Sequence, residues 1–239
     1  MNINTIREFY RSPLGKVTQR LLRVHIRHIW PDLKGMRLLG VGYALPYMAH
    51  YLPDAERVCM MVPPFSGAHN WPDKQKNLVA LAHEDELPIE NNSIDRVLMV
   101  HSLEAVDHIE ETLEEIWRVL ESNGRLLLIV PNRTGFWSRG DHTPFGQGVP
   151  FSLRQLQSLL HAASFTIERV EHGLFMPPFQ TKICLSMSPA LERFGSRFLT
   201  AVGGVHILEV SKQLFAGIHV EKNTPQMRRK RLAIPEMTS

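Results

Sequence analysis

The hydrophobic pattern of the chain switches several times between a helical and a strand-like period. Apolar residues recur at helical spacing in two segments before residue 30, namely 3–11 and 14–29. Compact apolar runs bounded by Gly, Pro and polar residues come next. They predict a first strand that begins near residue 37 and leads into two glycines, and further strands at 57–62, 77–82, 95–100 and 125–130. Between and after these strands, the helical period returns at 45–52, 109–121 and 152–163.

Local signals mark where several of these elements begin and end. Ser152 and Gln155 have the spacing of a capping box at the start of the helix at 152–163. Asn123 and Gly124 predict a left-handed stop after the helix at 109–121. The remaining predicted elements are a strand at 166–171, a helix near 189–201 and a strand at 205–210. Alternation of helices and strands on this scale indicates an α/β domain.

Two glycines follow the first predicted strand, and they carry the first hint of chemistry. Gly40 and Gly42, followed by Tyr43, predict a tight turn that lets a ligand approach the backbone. Pro46 suits the first turn of a helix, whose free N–H groups attract a carboxylate or phosphate. A structural turn without a ligand is the alternative for an isolated Gly-x-Gly.

Composition narrows the class of protein. The chain has 239 residues, of which 44% are hydrophobic and 21% charged, which is enough for one sizeable core. Its two cysteines predict a reducing compartment, and it has neither a secretory signal nor a membrane-spanning run, so we expect a cytoplasmic protein. The oligomeric state is left open by the sequence.

Basic residues are concentrated in two places, although the net charge is only +3. One is a stripe at helical spacing, formed by Lys16, Arg20, Arg23 and Arg27, and the other is the run at 228–231. Solvated surfaces explain both adequately. An RNA or other acidic partner is a weaker alternative.

Two longer segments resemble a known family. Residues 87–104 (LPIENNSIDRVLMVHSLE) and 117–131 (WRVLESNGRLLLIVP) resemble two segments of class I S-adenosylmethionine-dependent methyltransferases of the methyltransferase-11 group. With the glycine turn, the resemblance covers roughly residues 36–131. The later segments 132–137 and 142–146 are similar to a bacterial subgroup of methyltransferase-domain proteins.

This resemblance implies a Rossmann-like, seven-stranded, mostly parallel sheet with an antiparallel last strand and helices on both faces. It further implies an N-terminal helical cover at 1–34 and a methyltransferase-like α/β domain at 35–220. The polar and basic composition of residues 221–239 separately predicts a tail that is flexible or bound to a partner. The implied cofactor is S-adenosylmethionine, and the implied partner is a small-molecule or lipid-like acceptor.

The resemblance also predicts a cofactor site, with two departures from the family. The usual acidic residue just before the first glycine is absent, and Leu38 and Leu39 stand in its place. The second strand ends at Met60, Met61, Val62 and Pro63, where most such enzymes carry an acidic residue that binds the ribose. We expect the following loop to compensate, with His69 and Asn70 on the ribose and Trp71 against the adenine. One of His83, Glu84 and Asp85 is expected to meet the adenine amino group. Structural packing of the loop and solvation of the acidic turn are the alternatives.

The fourth predicted strand leads into the residues that we expect near the reaction. His101 and Ser102 follow it, and ligands of open α/β sheets bind beyond the carboxyl ends of strands. Imidazole titrates near neutrality, so His101 is the predicted general base, with Ser102 beside the cofactor. The spacing of His101, Glu104 and His108 also permits a metal site, but the change from strand to helix argues against it.

The residues after the fifth predicted strand carry two further predictions. Asn132 is placed either to bind substrate or to cap a turn. The irregular, aromatic-rich segment 133–150 suggests a lid over the site or a loop folded onto the sheet. Taken together, the sequence predicts an S-adenosylmethionine-dependent methyltransferase. The alternative is a protein of the same fold that has lost catalysis and serves in binding or regulation, since the usual acidic residues are absent.

Overall fold

A single seven-stranded sheet dominates the computed structural model, which describes residues 3–64, 70–72, 76–140 and 142–212. Its strand order is β3-β2-β1-β4-β5-β7-β6. The first five strands run parallel, and β7 lies antiparallel between β5 and β6. The strands are β1 Arg37–Gly42, β2 Arg57–Val62, β3 Val79–Leu81, β4 Ile94–Val100, β5 Leu120–Pro131, β6 Phe165–Gly173 and β7 Val205–Lys212. The predicted Rossmann-like topology, with its antiparallel last strand, is confirmed.

Helices cover both faces of the sheet. The α-helices are α1 Ile3–Arg11, α2 Pro13–Ile29, α3 Leu45–Met48, α4 Ile109–Val119, α5 Leu153–Ala162 and α6 Lys182–Phe198. Side chains of a strand alternate between faces, so β1 places Leu38 in the core beneath α1 and α2 and Leu39 in the core beneath α4 and α5. Central strands buried on both sides are typical of parallel sheets.

The N-terminal helices are fixed to the domain by polar contacts as well as by apolar packing. Ser12 begins α2 by accepting a hydrogen bond from the Gly15 amide at 3.0 Å. Nδ1 of His25 lies 2.7 Å from Oε2 of Glu171 on β6, and Nε2 lies 3.6 Å from Oε1 of Glu192 on α6. Burial lowers the pKa of His25, but hydrogen bonds to Glu171 and Glu192 outweigh this effect and raise it to about 9. His25 is therefore a half-buried cation that joins α2 to two later elements.

Some predicted boundaries were wrong, each for a local reason. The predicted left-handed stop at Gly124 is absent, because α4 ends at Val119 and Leu120 is already extended as the first residue of β5. The helix predicted at 45–52 lasts only from Leu45 to Met48. Such a short helix sums few peptide dipoles, so the predicted anion site at its start has no support. The last helix begins at Lys182, seven residues before its predicted start.

The segment after β5 is folded firmly against the sheet. Asn132 is buried and donates from Nδ2 to the carbonyls of Ala201 and Gly203, while its Oδ1 accepts from the Thr134 amide. These bonds occupy Asn132 in capping a turn, which was the structural alternative. Two 3₁₀ turns follow, Phe136–Arg139 and Pro144–Gly146, and they bury Trp137 and Phe145. None of the helices among the described residues is long and apolar enough to cross a membrane.

Candidate active site

A cavity of about 130 Å³ opens beyond the carboxyl ends of the parallel strands. It is bounded by Gly42 and Tyr43 after β1, Pro63 after β2, and the turn 83–85 after β3. His101 after β4 and the start of α4 complete one side, while Ile6 on α1 closes another. The position agrees with the rule that ligands of open α/β sheets bind at this edge.

Gly42 is required by the way β1 approaches β4. Its φ of +75° lies in the left-handed region that glycine tolerates best. A Cβ atom at this position would lie 2.5 Å from the carbonyl oxygen of Val100 and 2.6 Å from Cβ of Ser102. Only glycine at position 42 therefore allows the turn to bring Tyr43 next to β4. There the Tyr43 amide donates a hydrogen bond of 2.7 Å to the Val100 carbonyl.

His101 is held in an unusual conformation by residues from distant parts of the chain. Its φ is +52°, which costs energy for a residue with a Cβ atom. Nε2 lies 2.9 Å from the hydroxyl of Tyr10, which is itself 2.8 Å from the hydroxyl of Tyr47. The ring of Phe145 packs against the imidazole at a centroid distance of 4.5 Å. The other imidazole nitrogen, Nδ1, lies 3.5 Å from Oε1 of Glu104.

Burial makes this cluster chemically unusual. The side chains of His101 and Glu104 are fully buried, and Nδ1 of His101 and both carboxylate oxygens of Glu104 have no hydrogen-bond partner among the described residues. Burial, followed by the neighbouring Tyr47, raises the pKa of Tyr10 well above its usual value, so its hydroxyl stays protonated. Tyr10 therefore supplies a neutral hydroxyl to His101.

Glu84 is the carboxylate that reaches the cavity from the β3 side. It is buried and accepts a long hydrogen bond of 3.4 Å from the hydroxyl of Ser102. Burial raises its pKa, although hydrogen bonds within its own residue and from Ser102 oppose the shift. Its neighbours His83 and Asp85 are exposed at the rim of the same cavity.

Tyr43 separates this cavity from a second, more open cleft of about 370 Å³. Its other lining residues come from the N-terminal helices, the start of α3 and the loop after β2. They include three arginines and one indole ring: Arg7, Arg11, Arg23 and Trp71. This cleft is strongly cationic, whereas the described residues of the first cavity include no Lys or Arg.

Part of the chain matches the model of a known family. The model of the methyltransferase-11 family, described as a methyltransferase domain, matches residues 39–128, which include most of β1, all of β4 and most of the residues that line the cavity. The cofactor that this family implies is S-adenosylmethionine. A comparison of the sequence with curated proteins found no match.

Solved structures share the fold of this chain at low sequence identity. An S-adenosylmethionine-dependent methyltransferase from Mesorhizobium loti has a TM-score of 0.56 at 15% identity, covering 79% of this chain and 96% of its own. One from Archaeoglobus fulgidus has a TM-score of 0.57 at 13% identity, covering 81% and 94%. The [4+2]-cyclase SpnF has a TM-score of 0.56 at 21% identity, covering 82% and 81%. These likenesses concern the fold alone.

The chemistry of the cavity fits a nucleoside with a cationic sulfonium. The buried carboxylate of Glu84 is available to accept hydrogen bonds from hydroxyl or amino groups, and Thr112 contributes a hydroxyl. Pro63, Val106 and Ile6 supply apolar surface. Because the lining is acidic rather than basic, a sulfonium would meet no repulsion from a Lys or Arg of the described residues.

The structure brings together only part of the site predicted from the sequence. Six of the predicted residues line one cavity: Gly42, Tyr43, His83, Glu84, Asp85 and His101. Ser102 lies just behind them, bonded to Glu84. Gly40 instead faces the core, where an added Cβ would lie 2.2 Å from Sδ of Met48. Asn70 and Trp71 line the cationic cleft on the other side of Tyr43, and His69 is outside the described residues.

Other lining residues were not identified from the sequence. Val106, Asp107 and Thr112 belong to the connection into α4 and its first turn, and Ile6 belongs to α1. Because α4 is the next helix after β4, which leads into His101, the order of these elements was a sequence signal that Val106, Asp107 and Thr112 lie near the site. The contact of α1 with this edge agrees with the N-terminal helical cover that the resemblance implied, although the sequence did not single out Ile6. Across the described residues, no three His, Cys, Asp or Glu side chains are grouped as a metal site requires.

Proposed function

We propose that the protein is an S-adenosylmethionine-dependent methyltransferase acting on a small-molecule or lipid-like acceptor. The observation that supports this most is the position of the acidic cavity, which lies at the carboxyl ends of β1 and β4 within the matched methyltransferase domain. In most members of the family, an acidic residue after β2 binds the ribose, but this chain has Pro63 there. In this proposal Glu84 binds the ribose instead. Gly42 and Tyr43 form the wall on the β1 side.

S-adenosylmethionine, when bound, supplies an electrophilic methyl group. The chain then has to position an acceptor, exclude water and receive a proton. Phe145, Trp137 and Phe9 pack edge to face around the cluster of Tyr10 and His101 and so keep water from this side. His101 is the proposed proton acceptor. In the structure its Nε2 lies 2.9 Å from the Tyr10 hydroxyl, which holds the imidazole in place until the acceptor binds.

The described cavity must widen before the whole cofactor enters. Its volume of about 130 Å³ is below the roughly 300 Å³ at which pockets for ligands of this size begin. None of the backbone hydrogen bonds among the described residues joins α1, which carries Ile6 and Tyr10, to the sheet. We therefore propose that α1 moves outward on binding and that this movement releases Nε2 of His101 toward the acceptor.

Calorimetric titration of the full chain with S-adenosylmethionine and S-adenosylhomocysteine tests this proposal. Binding is expected for both, and Glu84→Gln should weaken it about tenfold, the loss of one charge-assisted hydrogen bond. Glu86→Gln, an exposed neighbour in the same turn, is the matched control and should bind within about twofold. Equal affinities of the two variants would remove Glu84 from the cofactor site.

The role of His101 is tested separately. His101→Ala should leave S-adenosylhomocysteine binding intact and slow transfer of label from methyl-labelled S-adenosylmethionine to a small-molecule or lipid extract of bacterial cells. His50→Ala, at an exposed position, is the control. Label transfer at an unchanged rate in His101→Ala would exclude His101 from the reaction.

A second candidate function is binding or regulation by a methyltransferase-like protein without catalysis. Two observations favour it: Pro63 replaces the usual acidic residue, and the Tyr10 hydroxyl occupies Nε2 of His101. The fold relationship to a [4+2]-cyclase also illustrates that this architecture is not restricted to one chemistry. Absence of both heat and thermal shift at millimolar S-adenosylmethionine and S-adenosylhomocysteine would favour this second function.

A further inference from the structure

Helix α6 exposes a continuous apolar face, which we call the α6 stripe. It consists of Ile183, Met187, Phe194 and Phe198, which are between 50% and 72% exposed. At about 100° per residue, these four positions fall within roughly 60° of one another on the helix surface. Four more apolar side chains are exposed nearby. Phe179 and Leu199 lie in sequence just outside the two ends of α6, while Val202 and Phe136 belong to the 3₁₀ turns Thr200–Val202 and Phe136–Arg139.

The orientation of α6 is fixed by its other face. Ser188, Glu192 and Gly195 are buried there. Glu192 accepts hydrogen bonds from the amides of Leu174 at 2.7 Å and Phe175 at 3.0 Å, in addition to its contact with His25. A Cβ atom at Gly195 would lie 2.3 Å from the side chain of Phe175. The helix is therefore seated on the domain by this face, and the α6 stripe is its outward side.

Charge on the outward side of α6 has one sign. Lys182, Arg193 and Arg197 are exposed and fall in a sector of about 60° directly beside the stripe. Glu192 is the only acidic residue between residues 175 and 202, and it faces inward. The guanidinium of Arg197 lies 5.8 Å from the ring centroid of Phe198, and that of Arg139 lies 5.3 Å from the ring of Phe136. Aromatic and cationic groups are thus interleaved along this surface.

We propose that the α6 stripe and its cationic flank dock the protein on the surface of an anionic phospholipid bilayer. Aromatic and aliphatic side chains beside Lys and Arg are the composition of helices that lie in the membrane interface. In this arrangement the stripe inserts among the upper acyl chains, while the cations reach the phosphates. The proposal concerns a peripheral contact and does not depend on the methyltransferase activity.

The sign of the charge favours this occupant over a second copy of the chain. A symmetric dimer through the α6 stripe would bring Arg193 and Arg197 of each copy close to those of the other, with no exposed acidic residue on α6 to pair with them. An anionic lipid surface neutralises the same cations and attracts them to the membrane.

Vesicle flotation of the full chain tests the proposal. The probes are vesicles of phosphatidylcholine alone and of phosphatidylcholine with about 30% phosphatidylglycerol. Binding is expected only to the anionic vesicles, and it should fall severalfold when the salt concentration rises from 0.05 to about 0.5 M. Phe194→Ser with Phe198→Ser should lower the partition coefficient at least about tenfold. Val24→Ser with Val149→Ser removes two other exposed apolar side chains and is the matched control.

A charge variant keeps the test decisive if the double Phe variant fails to fold. Arg193→Gln with Arg197→Gln should reduce binding to anionic vesicles about tenfold while the melting temperature stays near that of the wild type. The proposal is overturned if neither pair of substitutions changes vesicle binding, or if only neutralisation of the basic run at 228–231 abolishes it. It is also overturned if light scattering shows a dimer that Phe194→Ser with Phe198→Ser dissociates and no vesicle binding is found.

Discussion

Replacing His25 by Gln is expected to remove a pH-dependent part of the stability of the fold. In the native state the imidazole lies between Glu171 and Glu192, and its pKa rises from the usual 6.5 to about 9 despite burial, which opposes the rise. This difference corresponds to about 3 kcal/mol of native-state preference for the protonated ring. Glutamine keeps a hydrogen-bonding amide at the site but carries no titratable proton.

The direction of the effect follows from the raised pKa. A group whose folded pKa exceeds its unfolded value contributes stability that is complete below pH 6.5 and is lost as the pH rises toward about 9. Within that window the wild type should lose about 1.4 kcal/mol of unfolding free energy per pH unit from this group. Relative to the wild type, His25→Gln should therefore be about 3 kcal/mol less stable at pH 6 and much closer to it at pH 9.5.

Urea denaturation of both proteins at half-unit steps from pH 6 to pH 9.5 measures this difference directly. His161→Gln, an exposed histidine at the end of α5, is the control and should run parallel to the wild type. A difference between wild type and His25→Gln that stays constant across the range would refute the argument. It would mean that His25 contributes by packing or by neutral hydrogen bonds rather than as a cation.

Three further substitutions test the description of the site and its surroundings. Gly42→Ala places a Cβ 2.5 Å from the Val100 carbonyl at a φ of +75°, so we expect a loss of at least about 2 kcal/mol in unfolding free energy, measured by urea denaturation. Tyr10→Phe removes the hydroxyl shared by Tyr47 and His101 and should cost about 1–3 kcal/mol, and an unchanged melting temperature would contradict the buried network. Asn132→Ala leaves the carbonyls of residues 201 and 203 without its Nδ2 donor and should lower stability by about 1–3 kcal/mol, with the exposed Arg133→Ala as a near-neutral control in the same denaturation assay.

The sequence was most informative where one local rule determined the structure. Ser152 begins α5 by accepting a hydrogen bond from the Gln155 amide, as the capping pattern predicted. Gly42 adopts the positive φ that the glycine turn required. The grouping of His101 with residues 83–85 followed from a general property of parallel sheets, because the strands that precede them end at the same edge.

Long-range packing accounts for the features that the sequence did not predict. Gly40 and Gly42 are chemically identical, yet Gly40 makes room for Met48 while Gly42 makes room for β4. Trp71 lies across Tyr43 from the cavity that it was expected to line. Tyr10 reaches His101 across 91 positions of sequence, and such a contact leaves no mark on the local pattern.

The strand order has a consequence for how the chain is built during synthesis. Because β7 separates β6 from β5, residues 165–173 leave the ribosome before the strand that joins them to the sheet exists. The parallel strands β1 to β5 can assemble first. Residues 205–212 then form β7, which pairs with β5 on one side and with β6 on the other. Shortening the protein from its carboxyl side past Lys212 is therefore expected to detach two strands rather than one.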